Sequence, residues 1–202
     1  MSLRERLPTP RILRVLLLLL AVPLLPACTT EKEPGKLSPR LNAKLEEVLH
    51  RARYSQGMAK LGDLRQLSAF GPAATQPVVD QLLSSDNPQL RSNAVFVLGE
   101  IYRLDRDEKA IEAVRGAVKD PDRLVRLEAA RALLENGDRS GINELVDALD
   151  DPGRGTRTIA FLALREASGG VDFGYHPGLD TVARQEPIAR FRAHYAYGGS
   201  GE

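Results

Sequence analysis

Cysteine is nearly absent from this chain. Of 202 residues only Cys28 carries a thiol, so no disulfide can form within one molecule. Histidine is scarce as well: His50, His176 and His194 share no metal-binding spacing, and no bound metal is expected. No serine sits in a nucleophile elbow and no glycine-rich loop is placed to cradle a phosphate, which leaves no catalytic constellation. An excess of positive charge is missing too. The whole chain carries 28 Lys and Arg against 27 Asp and Glu, without the clustered basic surplus of a nucleic-acid binder. Metal-dependent, nucleophilic and phosphate-binding enzymes are therefore poor readings, and the expectation is a protein that is not an enzyme.

What is present begins at the N-terminus. Arg4, Arg6, Arg11 and Arg14 precede an apolar run of thirteen residues from Val15 to Ala27. A basic start followed by a run shorter than the roughly 20 residues of a spanning helix is the pattern of an export signal. The run closes on Leu24-Leu25-Pro26-Ala27-Cys28, which resembles the bacterial lipobox. That resemblance implies a diacylglyceryl group on the Cys28 thiol, cleavage between Ala27 and Cys28, and acylation of the new amino group, for example by palmitate. More than one acyl chain, each buried CH₂ adding ~0.8 kcal/mol, holds a protein stably on a membrane. Thr29 follows the cysteine, so the periplasmic face of the outer membrane is the favoured address and the inner membrane the alternative. Loss of residues 1–27 leaves 24 basic and 26 acidic residues. Residues 28–37, rich in polar side chains and broken by Pro34 and Gly35, read as a lipidated tether.

The remaining residues carry a repeat. In the stretch Lys119 to Asp138, Asp120-Pro121 is expected to cap and start a helix over Pro121 to Glu135. Val125, Ala129, Ala132 and Leu133 share one face of it, and Gly137 can turn left-handed to end it. Upstream, Ser38-Pro39 starts a helix to about Tyr54, a second runs from about Met58 to Phe70, and Glu108 to Val118 forms another. Arg91, Arg126 and Arg157 stand 35 and 31 residues apart. Three residues after each is Ala94, Ala129 or Ala160, and seven after each is Leu98, Leu133 or Leu164. Eight before each is Leu83, Val118 or Leu149. Each copy reads as a pair of antiparallel helices that cannot bury its apolar face alone, which predicts an all-α solenoid over residues 38–168.

Asp120-Pro121-Asp122, Val125-Arg126, Ala129-Ala130, Ala132-Leu133 and Gly137-Asp138 resemble the HEAT-like repeat family, in particular its short bacterial form related to phycobilin-lyase repeats. The resemblance implies a ladder between adjacent repeats, with Arg91, Arg126 and Arg157 as donors and Asp120 and Asp151 as acceptors. HEAT-repeat hydroxylases of the deoxyhypusine type bind iron through His-Glu dipeptides, and this chain contains none. Lyase activity does not follow from repeat type, since one fold serves many functions.

Residues 169–197 depart from the repeat and hold five of the ten aromatic residues: Phe173, Tyr175, Phe191, Tyr195 and Tyr197. Phe173-Gly174-Tyr175-His176-Pro177, with Arg184, Arg190 and Arg192, resembles segments that close bacterial repeat proteins. A capping segment is expected, with Val182, Ile188, Phe191 and Tyr195 turned inward and residues 198–202 as a tail. In such solenoids the second helix of each pair lines the concave side. The equivalent positions there are Asn93, Glu128 and Ile159, and Phe96, Arg131 and Leu162. Asn93, Phe96, Glu128 and Arg131 are the expected partner contacts. The functional expectation is a membrane-anchored, non-catalytic scaffold for another envelope protein, without cofactor. The alternative is a lyase-like or accessory protein holding a small molecule in the groove.

Overall fold

The computed structural model describes residues 37–197. Helix starts follow local capping chemistry. Ser38 accepts from the Leu41 N–H at 3.4 Å and opens α1, Pro39–Tyr54, with proline in its first turn. Helix α2 spans Gly57–Ser68, and α3 spans Pro72–Val78. Pro77 inside α3 donates no backbone bond, and the chain widens into a π-helical turn over Val79–Leu83 that the Ser84 N–H closes on the Val79 carbonyl at 3.1 Å. Asn87 caps α4, Pro88–Asp105, and Asp107 caps α5, Glu108–Ala117. The remaining helices are α6 (Arg123–Glu135), α7 (Ile142–Ala148), α8 (Arg154–Ala167) and α9 (Gln185–Tyr197).

Helix α6 begins two residues later than its sequence suggests. Asp122, not Asp120, is the cap, accepting from the Leu124 N–H at 2.8 Å. Asp120 is drawn elsewhere: Oδ1 accepts from the Asp122 N–H, and the whole carboxylate faces Arg91. At the other end Gly137 has φ +84°, and the Gly137 and Asp138 N–H groups bond the Leu134 and Leu133 carbonyls at 3.0 and 2.9 Å. That is the left-handed closure a glycine permits without a Cβ penalty.

Helix α6 is buried on two sides. Val125, Ala129, Ala132 and Leu133 join a core shared with α1 to α5, whereas Leu127, Ala130 and Leu134 join a second core with α7, α8 and α9. A helix inside a stack must satisfy a neighbour on either side, whereas a surface helix needs one apolar stripe. The fold is an all-α solenoid of stacked helix pairs, with no strand among the described residues. Leu37, expected in the tether, packs against the first core.

The repeated arginines each do two things. Backwards, Nη1 ties down the loop before its own helix: Arg91 to the Ser85 and Asp86 carbonyls, Arg126 to Asp120 and Pro121, and Arg157 to Asp151 and Pro152, all at 2.7–3.1 Å. Forwards, Nε reaches into the next unit. Arg91 Nε and Nη2 donate to both Asp120 carboxylate oxygens at 2.8 Å, Arg126 Nε lies 3.4 Å from Glu144, and Arg157 Nε donates to the Pro177 carbonyl at 3.0 Å. Among the repeated arginines the expected pairing with an aspartate is thus found at the first rung only, with Glu144 taking that place at the second and a backbone carbonyl at the third. The Asp151 carboxylate accepts from the Gly153 N–H and pairs with Arg123, one turn ahead of Arg126, so Arg126 turns to Glu144.

The hydrogen bond from Arg91 holds the Asp120 carboxyl below its usual range. A depressed folded-state pKa contributes stability that is present above the unfolded value near 3.9 and is lost as pH falls below it. The acid-induced fall in melting temperature should therefore be smaller for Asp120→Asn than for the wild type. Arg91→Ala and Asp120→Asn combined should lose less than the sum of the single losses. Additive losses in thermal melts would remove this rung.

The last unit is closed by aromatics. Tyr175 Oη donates to the Leu149 carbonyl at 2.6 Å and Tyr195 Oη to the Leu164 carbonyl at 2.8 Å. Phe191 lies edge-on to Phe173 at 4.8 Å. Arg184 pairs with Asp150, and Arg192 with Asp147 at 2.8 Å. Ile188, Phe191 and Tyr195 point inward, but Val182 is 84% exposed. Asp180 accepts from the Val182 and Ala183 N–H groups, so Val182 lies in a turn ahead of α9.

Candidate functional site

Helices α4, α6 and α8 are the second members of successive pairs, and equivalent positions along them form rows across the stack. Five residues after each repeated arginine come Phe96, Arg131 and Leu162. Phe96 is half-buried against the first core, and the Arg131 guanidinium lies over its ring at 5.9 Å. Arg131 is also held by Glu128 and Glu135 on its own helix. Burial works against the Arg131 charge, but these carboxylates raise its pKa all the same. Arg131 and Glu128 are therefore already committed to each other, while Leu162 stands 54% exposed. Two residues after the arginines, Asn93 is buried and its Oδ1 accepts from Gln89 at 3.2 Å, so it offers no surface to a partner. Glu128 is half-buried and Ile159 exposed. Of the four expected contacts, Asn93 drops out, and Phe96, Arg131 and Glu128 form one internally satisfied cluster.

The row that sequence reasoning passed over lies nine residues after each arginine: Glu100, Glu135 and Glu166. The three glutamates occupy one alignment column, and that identity was the available signal. They edge an open-sided groove of about 430 Å³ whose buried lining includes Leu134 and Ala163, with Ala167 beside Glu166. Within the groove the carboxylates differ. Arg103 donates to both Glu100 oxygens, at 3.1 and 2.8 Å, and lowers its pKa. Burial pushes the Glu135 carboxyl up, as do the nearby charges of Glu128 and Glu166, against the pull of Arg131. The Glu166 carboxylate makes no hydrogen bond or ion pair within the described residues.

Among the described residues no group of three or more His, Cys, Asp or Glu side chains is placed to hold a metal. None of the described helices is long and apolar enough to cross a membrane. Cys28 and Ala27 lie outside the described residues.

Residues 75–165 match the family model for HEAT repeats. These repeats are HEAT-like. The matched span runs from α3 to within α8 and includes all three repeated arginines. A relative in Pseudanabaena tenuis, named as an uncharacterized phycocyanin operon protein Z, is 28% identical over 116 residues, covering 54% of this chain and 57% of that protein. The chain thus spans little more than half the length of that relative.

Proposed function

We propose that this protein is a lipid-anchored, non-catalytic scaffold of the bacterial cell envelope that binds another protein along its second helices. One observation carries the reading: three successive second helices together line one open-sided groove, in which Glu100, Arg103, Glu135 and Glu166 surround Leu134, Ala163 and Ala167. Such a concave face suits a binding module, because charges held in fixed places across a surface choose the partner. The anchor rests on the sequence, in which Cys28 follows Leu25-Pro26-Ala27 at the end of the apolar run.

Cys28→Ser is expected either to leave the precursor uncleaved or to release the processed protein from the membrane fraction. Normal processing with unchanged membrane retention would count against lipidation. For the scaffold, the tagged mature protein should recover a reproducible envelope protein from solubilised membranes, and Leu162→Asp should lose it. A second reading follows from the relative whose name places it in a phycocyanin operon. On that reading the groove holds a small molecule for an accessory or lyase-like role. A purified protein that carries a coloured or stoichiometric compound would favour it over the scaffold.

A further inference from the structure

The two ends of the stack are finished differently. The last unit is covered by Tyr175, Phe191 and Tyr195, but α1 buries only one stripe, Leu45, Val48, Leu49 and Ala52. Its other side carries Arg40, Lys44, Glu47 and Arg51 at steps of four, three and four, which places them on one strip of the helix. Two shallow hollows follow one another along that strip. Arg40, Leu41 and Lys44 line the first, and His50, Arg51 and Tyr54 line the second together with Ala59 and Gly62 of α2. Tyr54 is 71% exposed and Met58, at the start of α2, 81%. The carboxylates on this side are already taken: Glu47 by Lys44 and Arg51, and Asp63 by Arg51. Arg40 and Lys60 form no ion pair among the described residues.

Charge divides along the chain in the same sense. Residues 39–68 hold six Lys and Arg against three Asp and Glu, whereas residues 69–202 hold sixteen against twenty-one. The basic pair is also the one next to the anchor. Leu37 follows Cys28 by nine residues, and nine residues reach about 30 Å at full extension. That is little more than the ~24 Å length of α1 itself. We propose that the first helix pair, α1 and α2, lies on an anionic phospholipid surface. The proposal rests on the lipid-anchor reading and adds how the domain is held. Arg40, Lys44, Arg51 and Lys60 meet the headgroup phosphates, and Tyr54 and Met58 enter the interface. The acidic remainder is repelled from the same surface, so the stack points away from the membrane. A short tether makes the contact intramolecular, so few charges suffice.

The chain has no tryptophan and one cysteine, which makes the test direct. Mature chain is coupled through Cys28 to a maleimide lipid in vesicles of phosphatidylcholine with phosphatidylglycerol, or of phosphatidylcholine alone. Tyr54→Trp places a reporter on the proposed face, and Val182→Trp, also at an exposed site, places one on the cap. On the anionic vesicles the tryptophan at position 54 should emit further to the blue and be quenched by brominated lipid, and the one at 182 should not. Salt should reverse the effect. Arg40→Gln and Lys60→Gln should each lower the docked-to-free ratio about 5-fold. Both side chains lack an ion pair, so the thermal melts should match the wild type. Equal quenching at the two positions, none at position 54, or no loss in the charge variants overturns the proposal. A blue shift that grows with protein concentration in the absence of vesicles assigns the face to a second copy and overturns it as well. Chemical coupling supplies the anchor, so a failure here leaves acylation of Cys28 standing. Docking on vesicles by a chain whose Cys28→Ser form is processed and retained normally in cells sinks the anchor and not the face.

Discussion

Phe191→Ala should lower the melting temperature by about 6–20 °C, from a loss of ~3–5 kcal/mol for emptying an aromatic core site in a protein of this size. Phe191 is fully buried, meets Phe173 at 4.8 Å and Tyr175 at 6.4 Å, and sits in the second core with Leu145, Leu149 and Leu164. Its loss leaves a void where α9 covers α7 and α8, and the neighbours are held by Tyr175 and Tyr195 hydroxyls that cannot easily shift to fill it. The effect should be local first. Proteolysis of the variant below its melting temperature should cut within residues 169–184 before the repeats, because a cap that loosens exposes its loop. A Phe191→Ala protein that melts within 2 °C of the wild type, a shift expected from only about 1 kcal/mol, would mean that the cap does not close the stack.

Gly141→Ala should also destabilise, by roughly 1–3 kcal/mol, with larger side chains costing more. The residue has φ −95° and ψ 5°, values open to any L-amino acid, so backbone strain is not the reason. The reason is proximity. A Cβ at position 141 would lie 2.6 Å from Ala130 Cα and 2.7 Å from Ala130 Cβ. Since one of those atoms is backbone, α7 must move away from α6, and the second core loosens along the contact. Ala130→Gly should partly rescue Gly141→Ala by removing one of the two clashes, although it adds a helical glycine at a cost of about 1 kcal/mol. If Gly141→Ala melts like the wild type, the two helices are not held at this separation.

Much of the architecture was legible because it is local. A cap, a proline in the first turn, a 3.6-residue apolar period and a closing glycine all act within one helix, and Ser38, Asn87, Asp107 and Gly137 act as their types suggest. The repeat was legible because stacking imposes the same demand on every copy, which brought Arg91, Arg126 and Arg157 into register. The cap's inward Ile188, Phe191 and Tyr195 were legible for the same local reason, and Val182 was misplaced because its turn is set by Asp180 rather than by periodicity.

The sequence by itself thus determined the class of fold, the length of its unit and the chemistry available to each row. Only the tertiary structure decided which partner each group takes. Asp151 pairs with Arg123 rather than Arg126, and Arg126 with Glu144. Arg91 and Asp120, 29 residues apart, meet through both carboxylate oxygens. Such choices are competitions between neighbours at distances no local pattern encodes, and a shift of one helical turn changes the winner. The same holds for Glu100, Glu135 and Glu166. Their recurrence was written in the chain, but stacking placed them along one groove and left Glu166 without a partner of its own there.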